Sequence, residues 1–324
     1  MAGQITVSLD NVKELRSNGS FAVLKKDIPL KKQAVEKQAL PGTVSYADNT
    51  VTVQSPAGTS SSVPEKDLNL IVDQPSYQKA LQRQSFLKGW KGAASAGATD
   101  VESTNYGTTF TVGLNIQRVA PSVTFLPPHD RQTLNLSETY GKLTQPVVPN
   151  PDNLPDSVAK TSIFHTDFEY DRYFSPRFYA LGDTSFDHSF AQGLNLQQVY
   201  GGGFGWTPIM DAKQELDLKF DVHYEKQQFL ADAGMADQDL IGSTFSEAYR
   251  RTLPAKILLT ETGSILPAWN NTDAYSANGA LNLALPVYHR LSVNVGLSDS
   301  FINDPPVGYK KNSFQFVTGV GYTF

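Results

Sequence analysis

The chain has 324 residues, of which 32 are acidic and 27 basic, giving a formal net charge of −5, and it has no cysteine. These counts exclude a disulfide framework and a thiolate metal site, and they leave no basic footprint for nucleic acid. The mean hydropathy is −0.30, and no apolar run approaches the ~18 residues a membrane helix requires.

The N-terminus shows no secretory signal, because Met1-Ala2-Gly3-Gln4 leads into alternating Ile5, Val7 and Leu9 instead of an apolar block. If the protein is exported, its signal has been removed; a cytoplasmic protein is the competing expectation. Residues 1–40 otherwise read as polar and irregular, with a Lys/Gln-rich stretch from Lys25 to Lys37. A small β pattern follows. Gly42 to Tyr46 leads through Ala47-Asp48-Asn49 into Thr50 to Val53, and Gly58-Thr59 leads into Ser62-Val63-Pro64 before alternating Leu68, Leu70 and Val72. Short strands joined by turn residues read as hairpins of a small sheet or SH3-like barrel. Asp73-Gln74-Pro75-Ser76 resembles a helix start, which predicts a short connecting helix over about 76–86.

From Phe86 the texture changes to twelve alternating segments, roughly 88–98, 105–118, 131–142, 160–173, 176–187, 195–207, 213–227, 241–252, 256–266, 274–285, 289–300 and 312–324. In the seventh, Lys213, Glu215, Asp217, Lys219, Asp221, His223 and Glu225 share one face, while Gln214, Leu216, Leu218, Phe220, Val222 and Tyr224 share the other. In the fourth, His165, Asp167, Glu169 and Asp171 oppose Phe164, Thr166, Phe168 and Tyr170. A charge facing lipid costs ~2–4 kcal/mol at mid-depth, so these rows must face water or a lumen. A barrel strand shows lipid only every second side chain, which hides it from a hydropathy scan. The last segment alternates Phe314, Phe316, Thr318, Val320, Tyr322 and Phe324 on one face and ends the chain on an aromatic. That pattern looks like the closing strand of a bacterial outer-membrane barrel, whose last strand must pair with its first because lipid tolerates no open edge.

The connections fit. With twelve strands, long outer loops fall at 143–159, 228–240 and 301–311, and the inner turns Phe174-Ser175, Pro208–Ala212, Leu253-Pro254-Ala255 and Pro286–Tyr288 are short. Residues 119–130 are long for an inner turn. The 14 Tyr, 18 Phe and 3 Trp suit aromatic girdles as well as a soluble sandwich. Trp90, Trp206, Trp269, Tyr173, Tyr179, Tyr200 and Tyr322 sit near segment ends and are expected in interfacial belts.

Three constellations invite a chemical reading. Gly201-Gly202-Gly203-Phe204-Gly205 lacks the Gly-Lys-Ser/Thr ending of a phosphate loop and no helix follows it, so it reads as glycines marking bends or close backbone approach. His188 and Ser189 suggest a hydrolase, but neighbours in a strand point to opposite faces. His165, Asp167 and Glu169, if near His223, would make an oxygen-rich metal site; a hydrated lumen with acids paired to Lys213, Lys219 or Arg172 is the simpler expectation. Loop 143–159, dense in proline and asparagine, reads as solvated cover with ligand recognition as the lesser possibility.

Gly89-Trp90-Lys91-Gly92 with Ala94-Ser95-Ala96-Gly97, the turn Glu169 to Phe174, Tyr200 to Gly205, Leu291 to Phe301 with Pro305-Pro306-Val307-Gly308, and Gly319 to Phe324 occur in an order that resembles the salt-induced outer membrane protein family, bacterial barrels of undefined function. The resemblance covers about residues 86–324. It implies a barrel with no catalytic residues to carry over, preceded in longer members by a small SH3-like domain.

The expectation is therefore an all-β chain. Residues 86–324 form a twelve-stranded antiparallel transmembrane β-barrel. Residues 1–85 hold a small SH3-like periplasmic β domain, about 42–72, and the short helix. The candidate lumen-lining residues are His165, Asp167, Glu169, Asp171, Lys213, Glu215, Asp217, Lys219, Asp221, His223 and Glu225, and the barrel-closing signal is Tyr322 and Phe324. No catalytic, cofactor or metal residue is assigned. The expected location is the bacterial outer membrane with the N-terminal region in the periplasm. Its lipid, the barrel-assembly machinery and small ions or solutes are the expected partners, and nucleic acid is not. The expected function is a passive, narrow, polar-lined pore or an envelope-structural role. The alternatives are a periplasm-facing binding or scaffold module anchored by a plugged barrel, and an outer-membrane hydrolase.

Overall fold

The computed structural model describes residues 12–26, 40–81, 88–102, 106–121, 128–146 and 155–324. The chain divides into two compact units, Met1–Lys88 with Ala120–His129, and Gly89–Val119 with Asp130–Phe324.

The first unit carries a six-stranded antiparallel sheet of β1 (Leu15–Arg16), β2 (Phe21–Lys25), β3 (Leu40–Ala47), β4 (Thr50–Gln54), β5 (Ser60–Pro64) and β6 (Leu68–Asp73). The order is β5-β4-β3-β2-β6, with β1 paired to β3. Asp48 and Asn49 both take positive φ in the β3–β4 hairpin, the backbone that a two-residue hairpin turn demands and that Asp and Asn tolerate. Val23, Val44, Tyr46, Val51, Val53 and Val63 form the core. The stretch read as irregular contains β2, whose Ala22, Val23 and Leu24 are wholly buried. A strand covered on both faces does not alternate, and period two cannot reveal it. Helix α1 (Gln74–Leu81) starts two residues before the expected Ser76. The Ser76 N–H donates to Asp73 Oδ2 at 2.9 Å, and this bond holds the Asp73 carboxyl below the usual carboxylate range. Ile5 to Leu9, most of Lys25 to Lys37 and the expected helical residues 82–86 lie outside the described residues.

The second unit is a closed barrel of twelve antiparallel strands. They are β7 (Trp90–Glu102), β8 (Tyr106–Ala120), β9 (Asp130–Gln145), β10 (Ser157–Tyr173), β11 (Phe178–Ser189), β12 (Leu194–Met210), β13 (Gln214–Phe229), β14 (Gln238–Thr252), β15 (Leu258–Leu266), β16 (Ser276–Tyr288), β17 (Leu291–Ile302) and β18 (Asn312–Thr323). The barrel closes where Val320 to Thr323 pair with Ala96 to Ala93. Phe324 extends the seam, donating its N–H to Gly92 O at 2.9 Å and accepting from Gly92 N. Tyr322 and Phe324 point outward and are 45% exposed. Strand twelve thus meets strand one, as the alternating C-terminus implies.

One end of the barrel has short turns, at 174–177, 211–213, 253–257 and 289–290. In one of them Asp211 accepts backbone N–H groups from Lys213 and Gln214, which hold its carboxyl below the usual range. The two faces of the wall differ sharply. On β13, Asp217, Asp221, His223, Glu225 and Gln227 are buried, while Leu218, Phe220, Val222 and Tyr224 are exposed. The same outward apolar surface continues through Phe110 and Val112 of β8, Phe204 and Trp206 of β12, Phe245 of β14, Leu281 of β16, Val293 and Leu297 of β17, and Phe314 and Phe316 of β18.

Candidate functional site

The inward face is identified by side chains that reach strands that are not their neighbours. Arg131 of β9 donates from Nε to Asp171 Oδ2 of β10 at 2.5 Å and from Nη2 to Asp217 Oδ2 of β13 at 2.6 Å. Strands β9 and β13 are four positions apart in the barrel, so the guanidinium crosses the interior. Lys219 Nζ of β13 reaches both oxygens of Glu169 on β10 at 2.7 Å. Arg131 also lies within 3.9 Å of Glu169 and 3.7 Å of Glu215, and Arg250 holds Glu215 at 2.7 Å. The Thr207 hydroxyl donates to Asp217 Oδ1 at 2.7 Å. Four carboxylates therefore face three cations at the short-turn end.

Two tyrosines complete this group, and they correct the belt expectation. Tyr173 is 8% exposed and Tyr179 is wholly buried. Their residue pairing places them on the inward side, Tyr173 opposite Tyr179 and Asp171 opposite Leu181. The rings lie 4.9 Å apart, and Arg131 Cζ sits 4.8 Å from the centre of Tyr179 and 5.7 Å from that of Tyr173. Their position near strand ends is right, but their parity in the strand turns them away from the outer surface. Phe178 and Trp206, of opposite parity, stack outside at 5.9 Å, and Tyr200 is exposed there.

The glycine run makes room for these groups. At Gly205 a Cβ would stand 2.0 Å from Tyr179 Cζ, and at Gly201 it would stand 2.7 Å from Asp183 Oδ1 and 3.1 Å from Asp221 Oδ1. Glycine here permits close approach of side chains across the wall.

Toward the other end the charged residues change character. His165 lies between Asp187, 2.6 Å from Nδ1, and Asp167, 3.0 Å from Nε2. Asn135 Nδ2 donates to both Asp167 oxygens. His223 Nδ1 is 3.0 Å from Asp221 and 3.1 Å from the Thr244 hydroxyl, with Glu225 at 3.7 Å from Nε2. Glu225 accepts from the amides of Gln197 and Gln227, each at 2.6 Å. This group, with Asp183, carries five carboxylates and only histidines to offset them.

Of the eleven candidate residues, ten fall into these two groups. Lys213 does not: it stands exposed in the 211–213 turn just before β13. Arg172 faces outward and pairs with Asp130. Among the described residues no group of three or more His, Cys, Asp or Glu side chains is placed to hold a metal ion. His188 Nδ1 bonds to Asn195 O at 2.8 Å, and the buried Ser189 hydroxyl has no hydrogen-bond partner, so the two do not form a nucleophile–base pair. The sequence reading missed Arg131, although Arg131, Thr133 and Asn135 share one polar face in its third segment. It also missed Asp183 and Asp187, which alternate on β11.

The sequence pattern of the family described as protein of unknown function, DUF481, matches residues 131–324, well over half of the chain. The chain belongs to the DUF481 family. The match begins at Arg131, so it contains β9 to β18 and both interior charge groups. No curated protein matches this DUF481 member. Among solved structures, the NanC porin is 7% identical, with a TM-score of 0.41 over 72% of this chain and 100% of the porin chain. The translocator domain of the autotransporter NalP from Neisseria meningitidis is 11% identical, with a TM-score of 0.37 over 77% and 93%. The KdgM porin in complex with disordered oligogalacturonate is 8% identical, with a TM-score of 0.36 over 72% and 99%. These are likenesses at low identity, and the closed twelve-stranded wall of the DUF481 barrel rests on its own strand pairing.

Proposed function

We propose that this DUF481 barrel spans a bacterial outer membrane, with the short turns and the N-terminal unit on the periplasmic side, and acts as a narrow passive pore that favours small cations. The observation that carries this reading is the separation of faces along the middle of β10 and β13, where Asp171, Asp217 and Asp221 are buried inside and Tyr170, Leu218, Phe220 and Val222 are exposed outside. An exposed apolar surface of this kind, interrupted on β14 and β15 by Glu247 and Glu261, belongs in lipid. Barrel-assembly machinery is the partner such insertion implies. Within the lumen, ten of the eleven candidate residues are the proposed lining. Carboxylates that keep contact with water set the selectivity; Asp167 and Asp187 do so, with side chains 27% and 32% exposed. No catalytic chemistry is assigned.

Lipid exposure has its own test. Val222 is the midpoint of β13 and faces outward, so Val222→Arg lowers unfolding stability in liposomes by ~2–4 kcal/mol. Ser264, of opposite parity to the exposed Ile265, faces inward, so Ser264→Arg meets no lipid and is expected to cost less than about 1 kcal/mol. Equal costs would remove the lipid-facing assignment.

Conduction is tested by single-channel recording of folded protein in a planar bilayer under a salt gradient. Wild type gives discrete cation-selective steps. The double variant Asp167→Asn/Asp187→Asn lowers the cation-to-anion permeability ratio about twofold or more, because two water-facing charges leave a confined path. Steps with unchanged selectivity overturn the lining assignment. Silence from folded protein overturns the pore and leaves the second reading, a plugged barrel that anchors the N-terminal unit as a binding or scaffold module. The buried Arg131 group, which fills one side of the interior, favours that second reading over an empty lumen.

A further inference from the structure

The β11–β12 hairpin and the β17–β18 hairpin lie half the barrel apart, six strand positions in either direction. They nevertheless touch. Gln192, in the short turn Phe190–Gln192 after β11, is 1% exposed. Its side-chain amide donates to the carbonyls of Ser300 on β17 and Lys311 just before β18, each at 3.0 Å. A bond between opposite walls must cross the mouth of the barrel at the end away from the short turns.

The crossing is packed as well as bonded. Leu194, Phe229, Ala233 and Ile302 form a buried cluster, with Leu230, Met235 and Tyr309 packed against it. Gly193, at φ +69°, lies under the Tyr309 ring, 3.1 Å from where a Cβ would stand. Its carbonyl accepts from Leu230 N at 2.9 Å. Three loops therefore meet over the lumen: 190–193, 230–237 and 303–311. Gly234 and Gly308 also take positive φ within them.

We infer that the β11–β12 turn is a latch: it closes the loop end of the pore through the Gln192 amide, and its release opens the path for solutes. This regulation rests on the pore reading. The covering contact is small: one four-residue turn, two side-chain hydrogen bonds and one apolar cluster, against a wall of twelve continuous ladders. Such a contact opens locally long before the barrel unfolds, and loop motions of this kind gate access to interiors. Gln192 is neutral, so the latch responds to whatever competes for the Ser300 and Lys311 carbonyls or displaces the apolar cluster, not to the charge of the group itself.

The test exploits the absence of native cysteine. Ala233→Cys places one small thiol in the cap, at a position 7% exposed, and its alkylation by a hydrophilic maleimide in nanodiscs reports cap opening without reference to conduction. Adding Gln192→Ala is expected to speed alkylation about tenfold, the effect of losing two buried hydrogen bonds, and to raise single-channel open probability in the bilayer in parallel. Heat-dependent gel mobility verifies folding, and Tyr309→Ala serves as the second variant should Gln192→Ala fail to fold. Alkylation no faster in either folded variant overturns the latch. Faster alkylation with silent bilayers for all proteins keeps the latch and overturns the pore. Faster alkylation with steps whose open probability does not change overturns the gating role.

Discussion

Replacing Arg131 by methionine lowers the stability of the folded barrel by about 3–5 kcal/mol, the cost of stripping one partner from a buried ion pair. The loss is large because of what is left behind. Asp171 is wholly buried and Asp217 is 5% exposed, and both direct a carboxylate oxygen at the guanidinium. Without the cation, Asp171 loses its hydrogen-bond donor and Asp217 keeps only the Thr207 hydroxyl, so two charges stay in an interior that compensates them poorly. Methionine keeps much of the apolar stem and its contact with Tyr173 and Tyr179, so the effect isolates charge from bulk. The comparison is Arg131→Met/Asp171→Asn/Asp217→Asn, which removes the stranded charges and recovers at least about half of the loss, since replacing a whole buried ionic group is often near neutral. Urea titration in liposomes, followed by tryptophan emission, measures both. A loss below about 1 kcal/mol for the single variant contradicts the assignment of Arg131 as the hub of the interior group, because exposed pairs have values in that range.

Gly205→Ala has the second large effect, about 1–3 kcal/mol of destabilisation from overpacking. The added methyl would overlap the Tyr179 ring, with Cζ at 2.0 Å and Cε2 and Oη at 2.3 Å. That ring has little room to withdraw, since Arg131 lies over it and Tyr173 lies beside it. The built-in control is Gly182→Ala on β11, where nothing stands within 4 Å of the new Cβ and the change is neutral within about 0.5 kcal/mol. Shortening the ring partner should relieve the clash, so Gly205→Ala/Tyr179→Leu is less destabilised than the sum of the two single changes. Additive losses in that cycle remove the direct contact between position 205 and the tyrosine. Equal effects at 205 and 182 remove the steric argument.

Much of the barrel was legible because its signal is local. A period of two places Asp217 and Phe220 on opposite faces whatever the rest of the chain does, and the run from Phe314 to Phe324 places a closing strand at the C-terminus. The strand that pairs with it, β7, has alanine and glycine where an apolar face would be diagnostic, yet its position follows from closure. What escaped depends on distance across the interior. Nothing in Asp130-Arg131-Gln132 announces that the middle residue will reach β13, because a period assigns a side chain to a face and not to a partner four strands away. Tyr173 and Tyr179 were misplaced for a related reason. Aromatics at strand ends are expected at interfaces, but one residue of register moves a ring from the outer surface to the inside, and only the neighbour Asp171 marked the parity. Strand β2 escaped because both its faces are covered. Gln192 carried no mark at all: its turn reads as an ordinary short connection, and its meaning comes from two carbonyls more than a hundred residues later in the chain.

The strands are unequal in length. Those at β10 and β12 run for 17 residues, whereas β15 has 9 and β17 and β18 have 12 each. At ~3.3 Å per residue and a tilt near 40°, the tall side rises about 43 Å and the low side about 23–30 Å. The hydrocarbon band such a protein meets is ~25 Å. At β15 the low side falls about 2 Å short of it, and the tall side exceeds it by about 18 Å. In the outer-membrane placement proposed above, lipid next to β15 would be compressed relative to lipid next to β12, at a cost of a fraction of a kcal/mol per Å of mismatch. The bilayer around this barrel would then carry a thickness gradient, thinnest beside β15 and thickest beside β12.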